Sequence, residues 1–242
     1  MTELRAVIVC VDFADFLQVT LPYNRHHFSE VQVITSTADK ATQEVCQNLG
    51  VRCFVTDSFY DGRAHFNKWK ALELGLDDFG RNGWLCLMDV DILWPRAIDH
   101  NYIRGCLYTP YRRMMTDLSQ PVPQEPYWAS FPRHPQQQEF AGFTQIFHAE
   151  DSVLGPAPWH ETNWAHAGGA DSFFQRKWPD NHKIRPNWEC LHLGEAGRNW
   201  CGRVTSYLDG TTPTAAEGRF NQLRDYFQQR RSTGTFAAEK ID

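Results

Sequence analysis

The chain has 242 residues, 42% of them hydrophobic, enough for one well-buried α/β domain and too few for two ordinary ones. A formal charge of -5 and a pI near 6.0 exclude a protein that grips nucleic acid through its global field and leave only a local basic face for that purpose. The short apolar stretch at residues 6–11 is interrupted by Asp12, so neither a signal peptide nor a membrane span is expected, and the sequence reads as soluble and cytoplasmic.

In chain order, the first half alternates between short β-type runs and helical patterns. Strands are expected at 6–11, 31–35, 51–55 and 84–89, with helices after Asp12, over 38–49 and near 64–76. Gly50 marks the end of the second helix as a C-cap. In the third helix Trp69, Leu72, Leu76 and Phe79 recur at helical spacing and form its buried face, while Arg63, Asn67 and Lys70 line another. Such alternation with short connections implies βαβ units and a parallel sheet.

After Pro95 the character changes. Prolines 121, 123, 126, 132 and 135 cluster with Tyr127, Trp128 and Phe131, a composition that suits binding loops better than regular helix. A strand-like run at 143–148 follows, then the turn Ala167-Gly168-Gly169-Ala170-Asp171 opening a helix through Trp178, short strands at 183–185 and 190–193, and an amphipathic C-terminal helix over 214–231. The seven cysteines are odd in number, widely spaced and without a CxxC pair, as expected of reduced core thiols rather than a structural zinc site.

The most informative segment is Trp84-Leu85-Cys86-Leu87-Met88-Asp89-Val90-Asp91, a hydrophobic run that ends in two carboxylates one residue apart. Two acids at i and i+2 on an extended backbone point the same way, so both face one divalent cation and its bound phosphates. A turn after a strand also favours Asp, but carboxylates beside a buried run are costly unless something neutralises them.

With the Gly-Gly-x-Asp turn at Gly168-Gly169-Ala170-Asp171 and the late His192-Leu193-Gly194, this segment resembles the GT-A glycosyltransferases over most of the chain, from Val7 to about Arg203. The resemblance implies a single-domain α/β fold of GT-A type. A Rossmann-like nucleotide-binding half with a mostly parallel central sheet would occupy 1–95, a mixed-strand acceptor half 96–210, and a C-terminal helix and tail 211–242.

It further implies that Asp89 contacts the sugar or ribose of a nucleotide-sugar donor, UDP-linked by expectation, and that Asp91 and His192, with Asp89 beside them, hold a Mn2+ or Mg2+ ion on the donor diphosphate. Oxygen ligands suit either metal, and an imidazole tilts the choice toward manganese. The ends of the first two strands, at Asp12, Thr35, Ser36 and Asp39, correspond to the nucleobase and ribose site, although Thr35-Ser36-Thr37 and Asp39 equally make an ordinary helix N-cap.

Lys70, with Asn67 a turn away, is the candidate phosphate contact, and Gly168 and Gly169 suit close backbone approach to the sugar. Asp171 is the candidate general base for an acceptor hydroxyl, with Ala170 standing where the family more often has Glu.

Acceptors compatible with the sequence are saccharides, small molecules and proteins. Hydroxymethylated DNA bases of the phage type are a further option, for which Tyr111-Arg112-Arg113, Arg133-His134, Arg198-Asn199-Trp200 and Arg230-Arg231 would supply cations. The competing readings are a haloacid-dehalogenase-like phosphohydrolase, whose DxD sits on the first strand, a sugar nucleotidylyltransferase, which wants a glycine-rich loop after strand one, and a non-catalytic carbohydrate-binding protein exploiting the nine tryptophans.

Overall fold

The computed structural model describes residues 3–135 and 140–213. The expected alternation is present: β1 (Leu4–Val9), α1 (Ala14–Asn24), β2 (Glu30–Thr35), α2 (Lys40–Leu49), β3 (Arg52–Val55), α3 (Lys68–Phe79) and β4 (Trp84–Asp89). Asp39 caps α2 by accepting the Thr42 N–H, and Gly50 closes it at φ 63 with its N–H on the Cys46 and Gln47 carbonyls. α3 begins later than the hydrophobic pattern suggests. Residues 58–63 are taken up by tight turns, and Asn67 is the N-cap, accepting the Lys70 N–H.

Beyond β4 lie β5 (Ile92–Leu93), β6 (Leu107–Tyr108), β7 (Tyr111–Met115), β8 (Thr144–His148), α4 (Ala170–Phe174), β9 (Lys183–Ile184) and β10 (Glu189–Leu193). β6 and β7 carry no alternation signal of their own, because Pro110 separates two short runs. The helix expected through Trp178 ends at Phe174 and gives way to a 3-10 turn at Gln175–Lys177. The expected C-terminal helix over 214–231 lies outside the described residues.

The main sheet has seven strands in the order β3-β2-β1-β4-β8-β6-β9. β3, β2, β1 and β4 run parallel, β8 is antiparallel to both β4 and β6, and β9 is parallel to β6. Alternate residues of β1 feed opposite faces: Ala6 and Ile8 pack with Phe16 and Leu17 of α1 and Val45 of α2, whereas Val7 and Val9 pack with Trp69, Leu72 and Leu76 of α3. α3 approaches the sheet so closely that a Cβ on Gly75 would lie 2.2 Å from Ile34 Cδ1.

A second sheet of three strands, β5-β10-β7, lies beyond the end of β4, with β10 antiparallel to β5 and parallel to β7. The half of the chain after β4 therefore mixes parallel and antiparallel strands, and the main sheet takes strands from both halves. Among the described residues no helix is long and apolar enough to cross a membrane.

Candidate active site

The chain leaves the main sheet at Asp89, turns at Val90 and enters the small sheet directly after Asp91. The Leu193 N–H of β10 donates to the Asp91 carbonyl at 2.9 Å, and His192 sits opposite Ile92 in the β10–β5 register. Across β10, β7 places Arg112 opposite Cys190 and Met114 opposite His192, so Arg112 and His192 are diagonal neighbours on one face. Three distant stretches of sequence thus converge where β4 ends.

Asp89, Asp91, Arg112 and His192 line a cavity of ≈ 630 Å³, together with Lys68, Trp69, Phe143, Gly168, Gly169, Asp171 and Trp200. Lys68, the first residue of α3, makes an ion pair with Asp89. Asp91 Oδ2 lies 3.2 Å from His192 Nε2, and the other oxygen, Oδ1, is buried with no hydrogen-bond partner among the described residues. Arg112 Nη1 is 3.3 Å from His192 Nδ1, and the guanidinium lies over the Phe143 ring. Asp171 accepts the Gly142 N–H at 2.7 Å on Oδ2 and the Ser172 N–H at 2.9 Å on Oδ1.

The electrostatics follow from burial against pairing. Burial pushes the Asp89 carboxyl up, with the neighbouring Asp91 charge adding to the effect, and the Lys68 ammonium only partly offsets them. At Asp91 burial acts in the same upward direction, but the His192 imidazole and its hydrogen bond outweigh it and hold the carboxyl below its ordinary value. Burial lowers the Arg112 guanidinium, against the pull of Cys190 and the three carboxylates Asp89, Asp91 and Asp171.

Asp89, Asp91, His192, Asp171, Gly168 and Gly169 therefore stand together around one cavity. Asp12, Thr35, Asp39, Asn67 and Lys70 are not among its lining residues, and each has a structural partner. Both Asp39 oxygens are engaged: Oδ1 by the Thr42 N–H at 3.0 Å, Oδ2 by the Asp12 N–H at 2.7 Å and the Thr35 hydroxyl at 3.2 Å. Asp12 adopts a left-handed φ of 64°, held by that bond and by Arg203, which donates to the Asp12 carbonyl at 2.7 Å.

The Asn67 amide donates to the Thr162 carbonyl at 2.6 Å, and Lys70 pairs with Asp61 at 2.8 Å. The lysine that reaches the cavity is Lys68. Counting a helical turn from Asn67 selects Lys70, whereas recognising Asn67 as the N-cap would have placed Lys68 at the helix start, beside the strand end. Arg112 belongs to one of the basic clusters named for nucleic acid; among the described residues of those clusters Arg113 and Arg133 pair with Glu189 and Arg198 pairs with Glu195, while Arg230 and Arg231 lie outside the described residues.

The donor set fits a hard divalent cation. Asp91 presents an unpartnered buried oxygen, with a carboxylate at Asp89 and an imidazole at His192 close by. Among the described residues no three His, Cys, Asp or Glu side chains converge at coordination spacing.

No protein-family model and no curated protein sequence matches the chain. Its structure is similar to that of glucosyl-3-phosphoglycerate synthase from Mycobacterium tuberculosis solved with UDP. The TM-score is 0.50 at 12% identity, over 82% of this chain and 73% of that one. The fold is that of the GT-A glycosyltransferases.

Mannosyl-3-phosphoglycerate synthase from Rubrobacter xylanophilus aligns over 99% of this chain and 77% of its own, with 14% identity and a TM-score of 0.49. A further structure of the M. tuberculosis synthase, with Mn2+, UDP-glucose and phosphoglyceric acid, aligns at 14% identity and a TM-score of 0.36 over 46% of this chain, which spans only 44% of that one. In this chain Asp89 is the last residue of the fourth strand of the main sheet, and Asp91 follows it in the turn that leads into β5.

Proposed function

We propose that the protein is a divalent-metal-dependent glycosyltransferase that moves a sugar from a nucleotide-diphosphate donor, a UDP-sugar, to an acceptor hydroxyl. The observation that carries this reading is the buried, unpartnered Oδ1 of Asp91 beside His192, inside a cavity that also holds Asp89, Lys68, Arg112 and Asp171. A structurally similar synthase solved with UDP supports the choice of nucleotide.

Asp91 and His192, with Asp89 alongside, would hold Mn2+ or Mg2+; when bound, the cation supplies Lewis-acid stabilisation of the diphosphate released as the glycosidic bond breaks. Lys68 and Arg112 add cationic hydrogen-bond donors for phosphate oxygens. Trp69 and Trp200 contribute flat aromatic surface to the same wall, the kind of surface on which sugar rings pack. Asp171 takes the proton from the acceptor hydroxyl: each of its oxygens keeps a lone pair beyond the backbone N–H it accepts, so the carboxylate is oriented and still basic. Gly168, three residues before it, accommodates the Trp200 indole, and Gly169 adds no side chain to the cavity it lines.

No observation favours the phosphohydrolase or the non-catalytic carbohydrate-binding reading. The test is a panel of nucleotide sugars incubated with the protein and Mn2+, with nucleotide release as the readout. One donor is expected to be turned over, and Asp91→Asn is expected to reduce release by about a thousandfold or more without lowering the melting temperature. An Asp91→Asn protein that keeps its turnover overturns the assignment.

A further inference from the structure

Three polar side chains interrupt the apolar surface that α1 presents to the core. Thr20, Asn24 and His27, the last in the 3-10 turn Arg25–His27 that continues the helix, are 2%, 0% and 7% exposed, and they stand among the buried hydrophobes Phe16, Leu17 and Leu21. Their helical spacing sets them on one face, and that face meets the chain that carries the strand-end acids. The Thr20 hydroxyl donates to the Val90 carbonyl at 2.7 Å, and His27 Nε2 donates to the Pro95 carbonyl at 2.8 Å. Between them Asn24 makes two bonds: its Nδ2 donates to the Ile92 carbonyl at 2.7 Å, and its Oδ1 accepts the Trp94 N–H at 2.9 Å.

The Asn24 carboxamide thus does for β5 what one residue of a parallel neighbouring strand would do, taking up a carbonyl and the N–H two residues further on. β5 is the edge of the small sheet and pairs with β10 on one side; α1 covers the other. Without Thr20 and Asn24 the carbonyls of two buried residues, Val90 and Ile92, would lose their partners.

Asp91 lies between these two holds. Its own carbonyl accepts the Leu193 N–H at 2.9 Å, so the peptide before it is fixed by Thr20 and the peptide after it by β10. Because each peptide is planar, fixing both sets φ and ψ of Asp91, and with them the direction in which its side chain leaves the backbone. That direction brings Oδ2 to 3.2 Å from His192 Nε2 and buries Oδ1.

Resting on the glycosyltransferase reading above, we infer that Thr20 and Asn24 are positioning residues for the cation at Asp91: they hold the backbone of residues 90–94 from the side opposite β10, and the metal affinity of the site depends on their hydrogen bonds rather than on the volume they fill.

The test measures Mn2+ affinity of the full chain by electron paramagnetic resonance of the free ion with UDP at saturation, against a blank of UDP alone. Thr20→Val keeps the volume and removes the hydroxyl, and is expected to weaken Mn2+ binding by about tenfold. Thr20→Ser removes the methyl and keeps the hydroxyl, and is expected to change it by less than about twofold. Asn24→Ala is expected to weaken it by about tenfold or more, and carries the test if Thr20→Val does not fold. Val45→Ala, a truncation in the core face of α2, serves as the destabilised control and is expected to lower the melting temperature with Mn2+ affinity unchanged.

Equal weakening in Thr20→Val and Thr20→Ser, undiminished affinity in Thr20→Val or Asn24→Ala, or the same loss in Val45→Ala overturns the positioning role and leaves the glycosyltransferase reading in place. An unmodified chain that binds no Mn2+ with UDP present overturns both.

Discussion

The Nε2 of His192 lies 3.2 Å from Oδ2 of Asp91 although 101 residues separate them in sequence. The contact exists because β10, late in the chain, returns to pair with β5, the two-residue strand that follows Asp91 directly. A carboxylate beside a buried strand would be costly unpaired, and this return supplies its partner.

Lys68 answers Asp89 in the same way from the start of α3. The ammonium is largely buried and the Asp89 side chain 33% exposed, so replacing Lys68 by Met should cost only about 1–2 kcal/mol of stability, less than a fully buried pair. The larger effect is on the donor: KM for the nucleotide sugar is expected to rise about tenfold to a hundredfold. Steady-state kinetics alongside urea unfolding check both, and an unchanged KM removes Lys68 from the donor site.

Glu73 is a buried anion on the inner face of α3. Its carboxylate takes the Trp159 and His160 backbone N–H groups at 3.0 and 2.9 Å, His160 Nδ1 at 2.6 Å and Arg81 at 2.7 Å. Those partners hold its pKa below the ordinary value against the opposing effect of burial. Glu73→Gln leaves at least one donor facing an NH2 group and should destabilise by about 2–4 kcal/mol. His160 is stacked on Trp69 at 4.9 Å, and Trp69 is a cavity wall, so donor binding should weaken in the same variant. A melting temperature equal to that of the unmodified protein counts against this account.

Two buried histidines make the fold acid-sensitive. Burial, with a smaller contribution from the neighbouring His26, lowers His27 from 6.5 to about 4, and burial with His65 lowers His166 to about 4. Because the unfolded chain takes up these protons first, stability is complete above pH 6.5 and declines as the pH falls toward 4, by up to about 3 kcal/mol for each histidine. Urea unfolding at pH 7.5 and pH 5, values chosen to bracket the ordinary histidine range of about 6.5, measures this. Equal stabilities at the two values contradict it.

Gly168 is required by Trp200. The indole rests on the glycine so closely that an added Cβ would lie 2.7 Å from Trp200 Cδ2. Gly168→Ala should therefore displace the ring from the cavity wall, costing about 1–3 kcal/mol and altering tryptophan fluorescence on donor binding. An alanine variant with unchanged stability and donor affinity shows that the ring moves freely.

Much of the parallel half was legible because its signals are local. Apolar runs at 31–35 and 84–89, Asp39 and Gly50 at the ends of α2, and the Trp69-Leu72-Leu76-Phe79 stripe report on neighbours within one element, where backbone geometry sets the period. β6 and β7 were not legible. They are short pieces around Pro110, held by partners 38 or more residues away, β6 by Ile146 of β8 and β7 by β10.

The same division holds at the site. The sequence by itself determined that two carboxylates end a buried strand, that His192 and Asp171 are candidates to join them, and that the chain is an α/β domain of this type. Only the tertiary structure decided that Lys68 and not Lys70 meets Asp89, that Asp39 and Asn67 spend their polar atoms on helix caps, and that Arg112 abuts His192. Those outcomes depend on which strand lies beside which and on how a long side chain is aimed across the gap, and neither quantity is periodic along the chain.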